Sequence, residues 1–343
     1  MSHPIKTVLV VGLGSIGRRH VGIIKELFPE INIVVLRHRQ CDKNDIDALG
    51  LYKCVTTIDK AIETNPQAAI IANPATKHIE VAEQLANKGI HLLIEKPISD
   101  SSMGVQALIN ICHQNNVVLM TAYNLRFLPS LIEFKKQLQA NKIGNIYSVR
   151  SEVGQYLPSW RIDKDYRKSV SSQKKMGGGV LLELSHEIDY ILWIFGPIKW
   201  VKSHVSKQSD LDIDVEDCAN IILGFKSNDG RELTASLNMD FIRHDTIRKC
   251  SVIGEQGTLL WNGISGKVEY FAKGSKDWET ILSSIPDRDY TYTEEIKSFF
   301  SSIESNGLPY ISGDDGMHVV SIIEAIKKSS NTNSIVYLET LNT

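Results

Sequence analysis

The hydrophobic and polar positions of the chain form two different patterns, which meet near residue 123. In the first part, short β-branched apolar runs alternate with stretches whose apolar positions repeat every three or four residues. The apolar runs predict strands at 7–11, 32–36, 53–56, 68–73, 91–95 and 117–122. The stretches between them predict helices at 16–27, 58–63, 77–88 and 101–115.

This alternation is typical of a doubly wound parallel sheet, because each parallel strand is followed by a helix that crosses back over the sheet. We therefore predict an α/β fold with an N-terminal Rossmann domain over residues 1–123. In such a sheet a ligand lies at the carboxyl ends of the strands.

The second part, residues 124–343, has short strands in close succession. Polar turns such as 228–230 and 254–257 separate them, which favours a mostly antiparallel sheet. We expect an α+β domain that binds substrate, with helices on one face of an open sheet. The free face predicts a homodimer or homotetramer. The predicted strands are 146–153, 200–206, 219–225, 233–239, 249–253, 258–261 and 267–271, and the helices are 130–141, 181–195, 293–304 and 315–329.

Composition excludes several classes of protein. A formal net charge of −2 over 343 residues gives no general attraction to nucleic acid or to an anionic membrane. The chain has no run of 18 apolar residues, and residues 1–6 lead directly into a strand, so we expect neither a signal peptide nor a membrane span. The five cysteines are widely spaced without a C-x-x-C pair, which favours reduced thiols in the cytoplasm.

A glycine motif follows the first predicted strand. Gly12, Gly14 and Gly17 form G-x-G-x-x-G between that strand and the first helix, with Ser15 and Ile16 inside the motif. Glycines at this turn let the backbone approach a pyrophosphate at the N-terminus of the helix, where unpaired N–H groups favour an anion. The motif predicts a dinucleotide site.

The residues after the second strand bear on the choice of nicotinamide cofactor. An NAD site usually has an acidic residue about 20 positions after the last glycine, which binds the ribose 2′-hydroxyl. Here that count reaches Arg37, with Arg39 close by. Guanidinium groups bind phosphate in a bidentate manner, so this pair predicts NADP over NAD. The alternative is that both arginines are solvated loop residues.

Two segments contain side chains suited to hydride-transfer chemistry. Glu95-Lys96-Pro97 ends the fifth strand, where a lysine can stabilise negative charge on a substrate oxygen. The segment 177–196 begins with three glycines and predicts a helix with Glu183, His186 and Asp189 on its polar face. His186 is then the candidate acid/base, because imidazole titrates near neutral pH, and Asp189 or Glu183 orients it or binds sugar hydroxyls. The alternative is an amphipathic helix with a solvated face.

The loop 155–168 combines aromatic and basic side chains. We hypothesise that it covers the active site and binds an anionic or nucleotide-linked sugar, because aromatic rings stack on sugars and arginines bind anions. An exposed basic loop is an equally good interpretation. Its candidate contacts are Tyr156, Trp160, Arg161 and Arg167.

The acidic segment 210–217 lacks the glycine and the bidentate acid of a calcium loop, so we predict a solvated approach to a strand. The histidines have no metal-ligand spacing, and we expect no metal site.

Taken together, these motifs resemble the glucose–fructose oxidoreductase / inositol dehydrogenase / MocA (Gfo/Idh/MocA) family of NAD(P)-dependent enzymes. The resemblance covers nearly the whole chain and depends on the order and spacing of the motifs. They are the glycine turn, Asn73-Pro74 with His78, Glu95-Lys96-Pro97, Asn124-Leu-Arg-Phe127, and the Gly177-Gly-Gly179 helix with His186 and Asp189.

The resemblance implies Lys96 and His186 as the catalytic pair, with Pro74 and Pro97 shaping the nicotinamide site. It also places Asn124 and Arg126 at the crossing into the second domain. Members of the family often have an aspartate four residues before the catalytic histidine, whereas this chain has Leu182 there. Glu183 is the nearest substitute, with a carboxylate that projects differently.

We therefore predict an NADP-dependent oxidoreductase acting on a sugar, sugar acid, inositol or nucleotide sugar, with NAD as the other cofactor. Lys96 polarises the substrate oxygen and also contacts the cofactor, and Arg126 contacts substrate. Two alternatives remain. A glycosidase working by transient oxidation would cause no net change in nicotinamide absorbance. A non-catalytic sensor of NADP and sugar would have no chemical need of Lys96 and His186.

Overall fold

A computed structural model describes residues 5–39, 41–161, 164–226, 230 and 232–338. The predicted turn at 228–230 and the loop at 155–168 each include two positions outside that range, 228 and 229 in the turn and 162 and 163 in the loop. The chain forms two compact units. The first consists of residues 1–124 and 288–320, and the second of residues 125–287 and 321–343.

The first unit is built on a six-stranded, entirely parallel sheet with the order β3-β2-β1-β4-β5-β6. Its strands are β1 (Thr7–Val11), β2 (Asn32–Leu36), β3 (Lys53–Val55), β4 (Ala68–Ile71), β5 (His91–Glu95) and β6 (Leu119–Ala122). The connecting helices are α1 (Ser15–Leu27), α2 (Lys43–Leu49), α3 (Ile58–Ile62), α4 (His78–Ala86) and α5 (Val105–Gln114).

The central strands of this sheet are apolar along their whole length because both of their faces are covered. Val8, Leu9 and Val10 of β1 are fully buried, as are all four residues of β4. The carboxyl ends of β1, β2, β4 and β5 lead into Gly12, Arg37, Asn73 and Lys96 respectively. The candidate cofactor residues therefore follow strands that end at the same edge of one sheet.

The second unit is built on a nine-stranded sheet with the order β14-β13-β12-β11-β7-β10-β9-β8-β15. Strands β7 and β10 are parallel, and the other neighbours are antiparallel. The strands are β7 (Ile146–Gly154), β8 (Ile198–Ser206), β9 (Cys218–Lys226), β10 (Glu232–Asp240), β11 (Ile247–Gly254), β12 (Gly257–Asn262), β13 (Lys267–Ala272), β14 (Glu279–Ser283) and β15 (Val336–Tyr337). Its helices include α6 (Pro129–Gln139), α7 (Val180–Glu183) and α8 (His186–Phe195).

Two further helices follow these elements. Helix α9 (Tyr290–Ser305) lies in the first unit and packs on α1. Helix α10 (Gly313–Thr332) begins in the first unit and ends in the second. There Ser329 and Ser330 accept hydrogen bonds from the backbone of β8.

The predicted fold class is confirmed, and the element boundaries show where local pattern was insufficient. Helix α2 and strands β14 and β15 were not predicted, because they are short or exposed. The predicted helix over 181–195 is two helices, because the chain leaves helical geometry at Leu184 and Ser185.

The expectation of reduced thiols is wrong for one pair of cysteines. Cys41 and Cys54 form a disulfide with Cα atoms 6.0 Å apart. The 13-residue separation has no recognisable motif, but β2 and β3 are adjacent, so the loop after β2 meets the middle of β3. Cys112, Cys218 and Cys250 are free thiols.

Among the helices that the structure describes, none is long and apolar enough to cross a membrane.

Candidate active site

The turn after β1 has the geometry that a dinucleotide pyrophosphate requires. Gly12 has a φ of +92°, and a Cβ there would lie 2.8 Å from the Ala72 carbonyl oxygen. A Cβ at Gly17 would lie 2.1 Å from the carbonyl oxygen of Gly12, whereas one at Gly14 would meet no atom within 4 Å. Two glycines thus permit close backbone packing, and the third faces open space.

The N-terminus of α1 has unfilled hydrogen-bonding capacity. No side chain caps it, and its first turn, which contains Ser15 and Ile16, has no acidic residue. The first N–H groups of a helix have no partner within the helix, so this end attracts an anion. Together with the glycine turn, it fits the phosphates of a nicotinamide dinucleotide.

Arg37 and Arg39 lie directly after β2, beside the turn. The Arg37 backbone N–H donates to the Val55 carbonyl oxygen at 3.1 Å, which fixes the start of this loop on β3. Arg37 is half-buried and Arg39 is exposed. The disulfide at Cys41 ties the same loop to β3 a few residues later.

His78 connects two segments of the predicted nicotinamide site. Its Nε2 lies 2.8 Å from the Asn73 carbonyl oxygen, and its Nδ1 lies 3.1 Å from the Pro97 carbonyl oxygen. Burial lowers the pKa of His78. The neutral ring then donates to one of the two carbonyls, so it joins the loop after β4 to the loop after β5.

The Asn73 side chain adds a second sign that this edge accepts a ligand. Its Oδ1 is buried and has no hydrogen-bond partner among the described residues. A buried acceptor without a donor is costly, and a ligand amide or hydroxyl would satisfy it. Pro74 follows directly and is half-buried.

Around the end of β5, Glu95 and Lys96 differ in their surroundings. The Glu95 side chain turns inward, with Oε1 2.6 Å from Nε2 of the fully buried His20 on α1. Lys96 is half-buried, and its peptide bond to Pro97 is cis. Asn124, at the end of the same unit's sheet, donates from Nδ2 to Thr291 Oγ1 at 2.8 Å.

In the second unit, the polar side of α8 is buried in protein contacts. Arg126 binds Asp189 through both Nε and Nη2, the shortest contact being 2.7 Å, and neither side chain is appreciably exposed. His186 begins the helix and is 9% exposed. Thus the structure brings together two of the predicted site residues, Arg126 and Asp189, as an ion pair that anchors the helix of His186.

A second buried ion pair on α8 was not predicted. Arg248 Nε donates to the fully buried Glu187 Oε1 at 2.7 Å. The Tyr190 hydroxyl lies 2.5 Å from Ser151 Oγ on β7, and burial raises its pKa well above the usual value. No signal in a single sequence could pair Glu187 with a residue 61 positions away.

The acidic segment before β9 supports the start of α7, the short helix that precedes the helix of His186. Glu216 packs under Gly179, where any Cβ would lie 2.4 Å from its Oε1, and it accepts from the Leu181 backbone N–H. Asp217 is fully buried and accepts hydrogen bonds from Gln208 and Ser209. The predicted solvated approach is therefore wrong for these two acids, because they satisfy backbone N–H groups of the loops around them. Glu183, at the end of α7, is half-buried.

The aromatic and basic loop after β7 makes most of its contacts within the second unit. Tyr156 stacks on His244, and Trp160 packs edge-on against Phe241 while donating to the Gln155 carbonyl oxygen. Arg167 donates to both carboxylate oxygens of Asp165. Arg161 is exposed.

In the described part of the chain, no group of three or more histidine, cysteine, aspartate or glutamate side chains is arranged to hold a metal ion.

Two family models match the chain. Residues 6–123 match the oxidoreductase-family NAD-binding Rossmann fold, and residues 135–338 match the C-terminal alpha/beta domain of the same oxidoreductase family, GFO_IDH_MocA.

Relatives and solved structures agree with these models. A myo-inositol 2-dehydrogenase from Thermotoga maritima is 25% identical, over 96% of this chain and 98% of that protein. A D-xylose 1-dehydrogenase (NADP(+)) from Haloferax volcanii is 24% identical, over 85% of each. The structure of a levoglucosan dehydrogenase in complex with NADH and levoglucosan shares the fold, with a TM-score of 0.82 at 21% identity over 98% of this chain and 100% of that one.

Proposed function

The chain belongs to the Gfo/Idh/MocA family of NAD(P)-binding oxidoreductases, and from that premise we propose that it oxidises or reduces a carbon bearing a hydroxyl or ketone in a sugar, sugar acid, inositol or nucleotide sugar. The observation that carries the proposal is made at the carboxyl edge of the first unit's parallel sheet. There the glycine turn, the uncapped N-terminus of α1 and the unsatisfied Asn73 Oδ1 occur together. The family resemblance of the sequence is confirmed, and so is the class of enzyme, an oxidoreductase acting on CH–OH groups.

The chemistry that we assign to the chain's own groups is simple. The bound nicotinamide supplies the hydride acceptor or donor. Lys96 donates a hydrogen bond to the substrate oxygen and stabilises negative charge that develops there. A ring nitrogen of His186 takes the hydroxyl proton during oxidation and returns it during reduction. Asp189, held by Arg126, keeps α8 in place, and Glu183, three residues before His186, is the other candidate carboxylate.

Substitution of Lys96 tests this assignment. We expect Lys96→Ala and His186→Gln to lower kcat/KM by about 10²–10⁴ each, because each removes a group that acts on the reacting oxygen or its proton. The assay is NAD(P)H absorbance with sugars, inositols, sugar acids and nucleotide sugars as substrates. Lys88→Ala, on the opposite edge of the sheet, is the control. Normal turnover by Lys96→Ala would contradict the mechanism.

The side chains after β2 favour NADP over NAD. Arg37 and Arg39 are the cations beside the turn, and no carboxylate occupies the position that would bind a ribose 2′-hydroxyl. The D-xylose 1-dehydrogenase relative carries NADP(+) in its name and the levoglucosan dehydrogenase structure contains NADH, so the cofactor differs among similar proteins.

Direct binding decides between the two cofactors. We expect NADPH to bind more tightly than NADH, and Arg37→Ala to weaken NADPH about tenfold while changing NADH little, because a charge-assisted contact to phosphate contributes about 1.5–3 kcal/mol. Lys53→Ala on the neighbouring strand is the matched control. Tighter binding of NADH by the unaltered protein would exclude NADP as the preferred cofactor.

The loop after β7 and the open sheet face support two narrower proposals. Arg161 is exposed and available to an anionic substrate group, and Arg167 of the same loop is engaged by Asp165. Tyr156 and Trp160 provide rings for a sugar.

The open face of the second unit's sheet is proposed as the contact between copies of the chain in a homodimer or homotetramer.

A further inference from the structure

Four titratable side chains form a buried cluster behind the end of β5 in the first unit. His20 comes from α1, Glu95 from β5, and Tyr292 and Glu295 from α9. His20 and Glu295 are fully buried, and Glu95 is 8% exposed. We refer to these four residues as the acid cluster.

The two carboxyl groups of the acid cluster have different partners. Glu95 Oε1 lies 2.6 Å from His20 Nε2. Neither oxygen of Glu295 has a hydrogen-bond partner among the described residues. Because an ionised carboxylate needs donors when it leaves water, the group that has a donor is the one that can carry the charge.

Burial and the neighbouring charge act on Glu295 in the same direction. Removal from water disfavours its ionised form, and the negative charge of Glu95 disfavours it further, so the pKa of Glu295 is raised well above its usual value. Both effects favour the protonated form of Glu295.

The other groups near Glu295 do not supply a compensating cation. Arg19 on α1 lies over the Tyr292 ring, 4.7 Å from its centre, and pairs with the partly exposed Asp289. Burial raises the pKa of Tyr292 to about 12, so this hydroxyl is uncharged. Neither Arg19 nor Tyr292 thus places a positive charge against Glu295.

We propose that Glu295 is a positioning residue for Lys96: as an uncharged acid beside Glu95, it leaves a single buried carboxylate for His20 to hold, and so fixes the strand end from which Lys96 projects. The inference rests on the proposed function, because the role of Lys96 belongs to it. If Glu295 ionised, two carboxylates would compete for one imidazole donor, and the Glu95–Lys96 peptide would lose its fixed position.

The unfolding equilibrium tests the proton on Glu295 without any assay of activity. A folded state that retains this proton loses stability as the pH rises from the ordinary carboxyl pKa toward the raised one. In urea unfolding at pH 5.5 and pH 8.5, Glu295→Gln should therefore gain stability relative to the unaltered protein at the higher pH. Glu294→Gln, one residue away at the surface and paired with Lys297, should follow the unaltered protein at both. Equal pH dependence of Glu295→Gln and the unaltered protein would overturn the proposal.

Kinetics test the effect on Lys96. We expect kcat of the unaltered protein to fall at alkaline pH as Glu295 ionises, with KM nearly unchanged, because small displacements of a catalytic group reduce rate strongly. Glu295→Leu and Glu295→Gln, which carry no charge at any pH, should keep kcat near that of the unaltered protein at neutral pH and move the alkaline limb of the kcat–pH profile to higher pH.

The positioning role of Glu295 and the catalytic role of Lys96 are tested by different variants. If Glu295→Leu and Glu295→Gln both keep the kcat and pH profile of the unaltered protein, Glu295 does not position Lys96. If Lys96→Ala turns over normally, the proposed function fails, and the positioning role fails with it, whereas the unfolding comparison still decides whether Glu295 holds a proton.

Discussion

At the scale of single residues, buried polar side chains hold the loops that surround the candidate site. His78 spans two backbone carbonyls, Asn124 binds Thr291, and His20 binds Glu95. Each of these contacts satisfies a group that would be costly to bury alone, and the contacts of Asn124 and His20 join positions 167 and 75 residues apart. The positions of Asn73 and Pro97 therefore depend on the His78 side chain between them.

The lowered pKa of His78 should contribute to the pH dependence of the free energy of unfolding. Its pKa is lowered in the folded state, so the folded protein binds fewer protons than the unfolded chain near pH 6. The contribution is fully present above about pH 6.5 and is lost as the pH falls below that value. We expect the urea midpoint of His78→Gln to rise relative to that of the unaltered protein as the pH falls from 7.5 to 5.5.

The exposed His113 on α5 provides the control. His113→Gln should retain the slope of the unaltered protein, since an exposed imidazole has similar surroundings in both states. If His78→Gln shows the same slope as His113→Gln, His78 does not control this pH dependence.

At the scale of elements, helix α1 shows how one segment combines packing with binding. Its inward side chains Val21, Ile23 and Ile24 are buried, while its N-terminus is left without a capping side chain. Gly17 lies against the backbone of the preceding turn, whereas Gly22 meets no atom within 4 Å. The two glycines of the same helix thus have opposite structural requirements.

Alanine at these two positions should act in opposite directions. Gly17→Ala forces a Cβ against the Gly12 carbonyl, which we expect to cost about 1–3 kcal/mol of stability and to weaken cofactor binding. Gly22→Ala should stabilise the protein by about 0.4–1 kcal/mol, because it only reduces the freedom of the unfolded chain. Urea unfolding and NAD(P)H titration of both variants measure these effects. An unchanged stability in Gly17→Ala would show that the backbone of the turn can shift to accommodate the Cβ.

At the scale of the whole molecule, the open sheet of the second unit bears on assembly. The residues Ala219, Ile221, Leu223 and Phe225 of β9 are buried on one face, while Ile222 is 44% exposed on the other. On that second face Trp200 packs over Gly224 and donates to Glu232. Ile222 and Trp200 are the apolar side chains of this face that we propose to contact a second copy of the chain.

We expect the purified protein to be a dimer or tetramer, and Ile222→Lys to shift it toward smaller species, because a charge buried in the contact is costly. Light scattering after size-exclusion chromatography measures the mass. Ile132→Lys changes an equally exposed isoleucine on α6, away from this sheet face, and should leave the mass unaltered. A monomeric parent protein would exclude the contact altogether.

Much of the fold was determined by local sequence. The apolar runs at 7–11, 32–36 and 91–95 match β1, β2 and β5 residue for residue, because strands buried on both faces are continuously apolar at their centres. The glycine motif likewise identified the turn after β1, since its close backbone approaches admit only glycine. These features depend on neighbours in the chain, and a single sequence contains that information.

The tertiary structure alone decided which distant groups meet. Glu187 with Arg248, Glu216 with Gly179 and Cys41 with Cys54 are contacts that no local pattern predicts, and Glu295 on α9 enters the acid cluster only because α9 packs on α1. Burial then changes the protonation that a carboxyl group favours. At the surface, water stabilises its ionised form, whereas burial favours the protonated form of Glu295. The sequence therefore specified the cofactor-binding framework, and the folded packing determined the electrostatics behind Lys96.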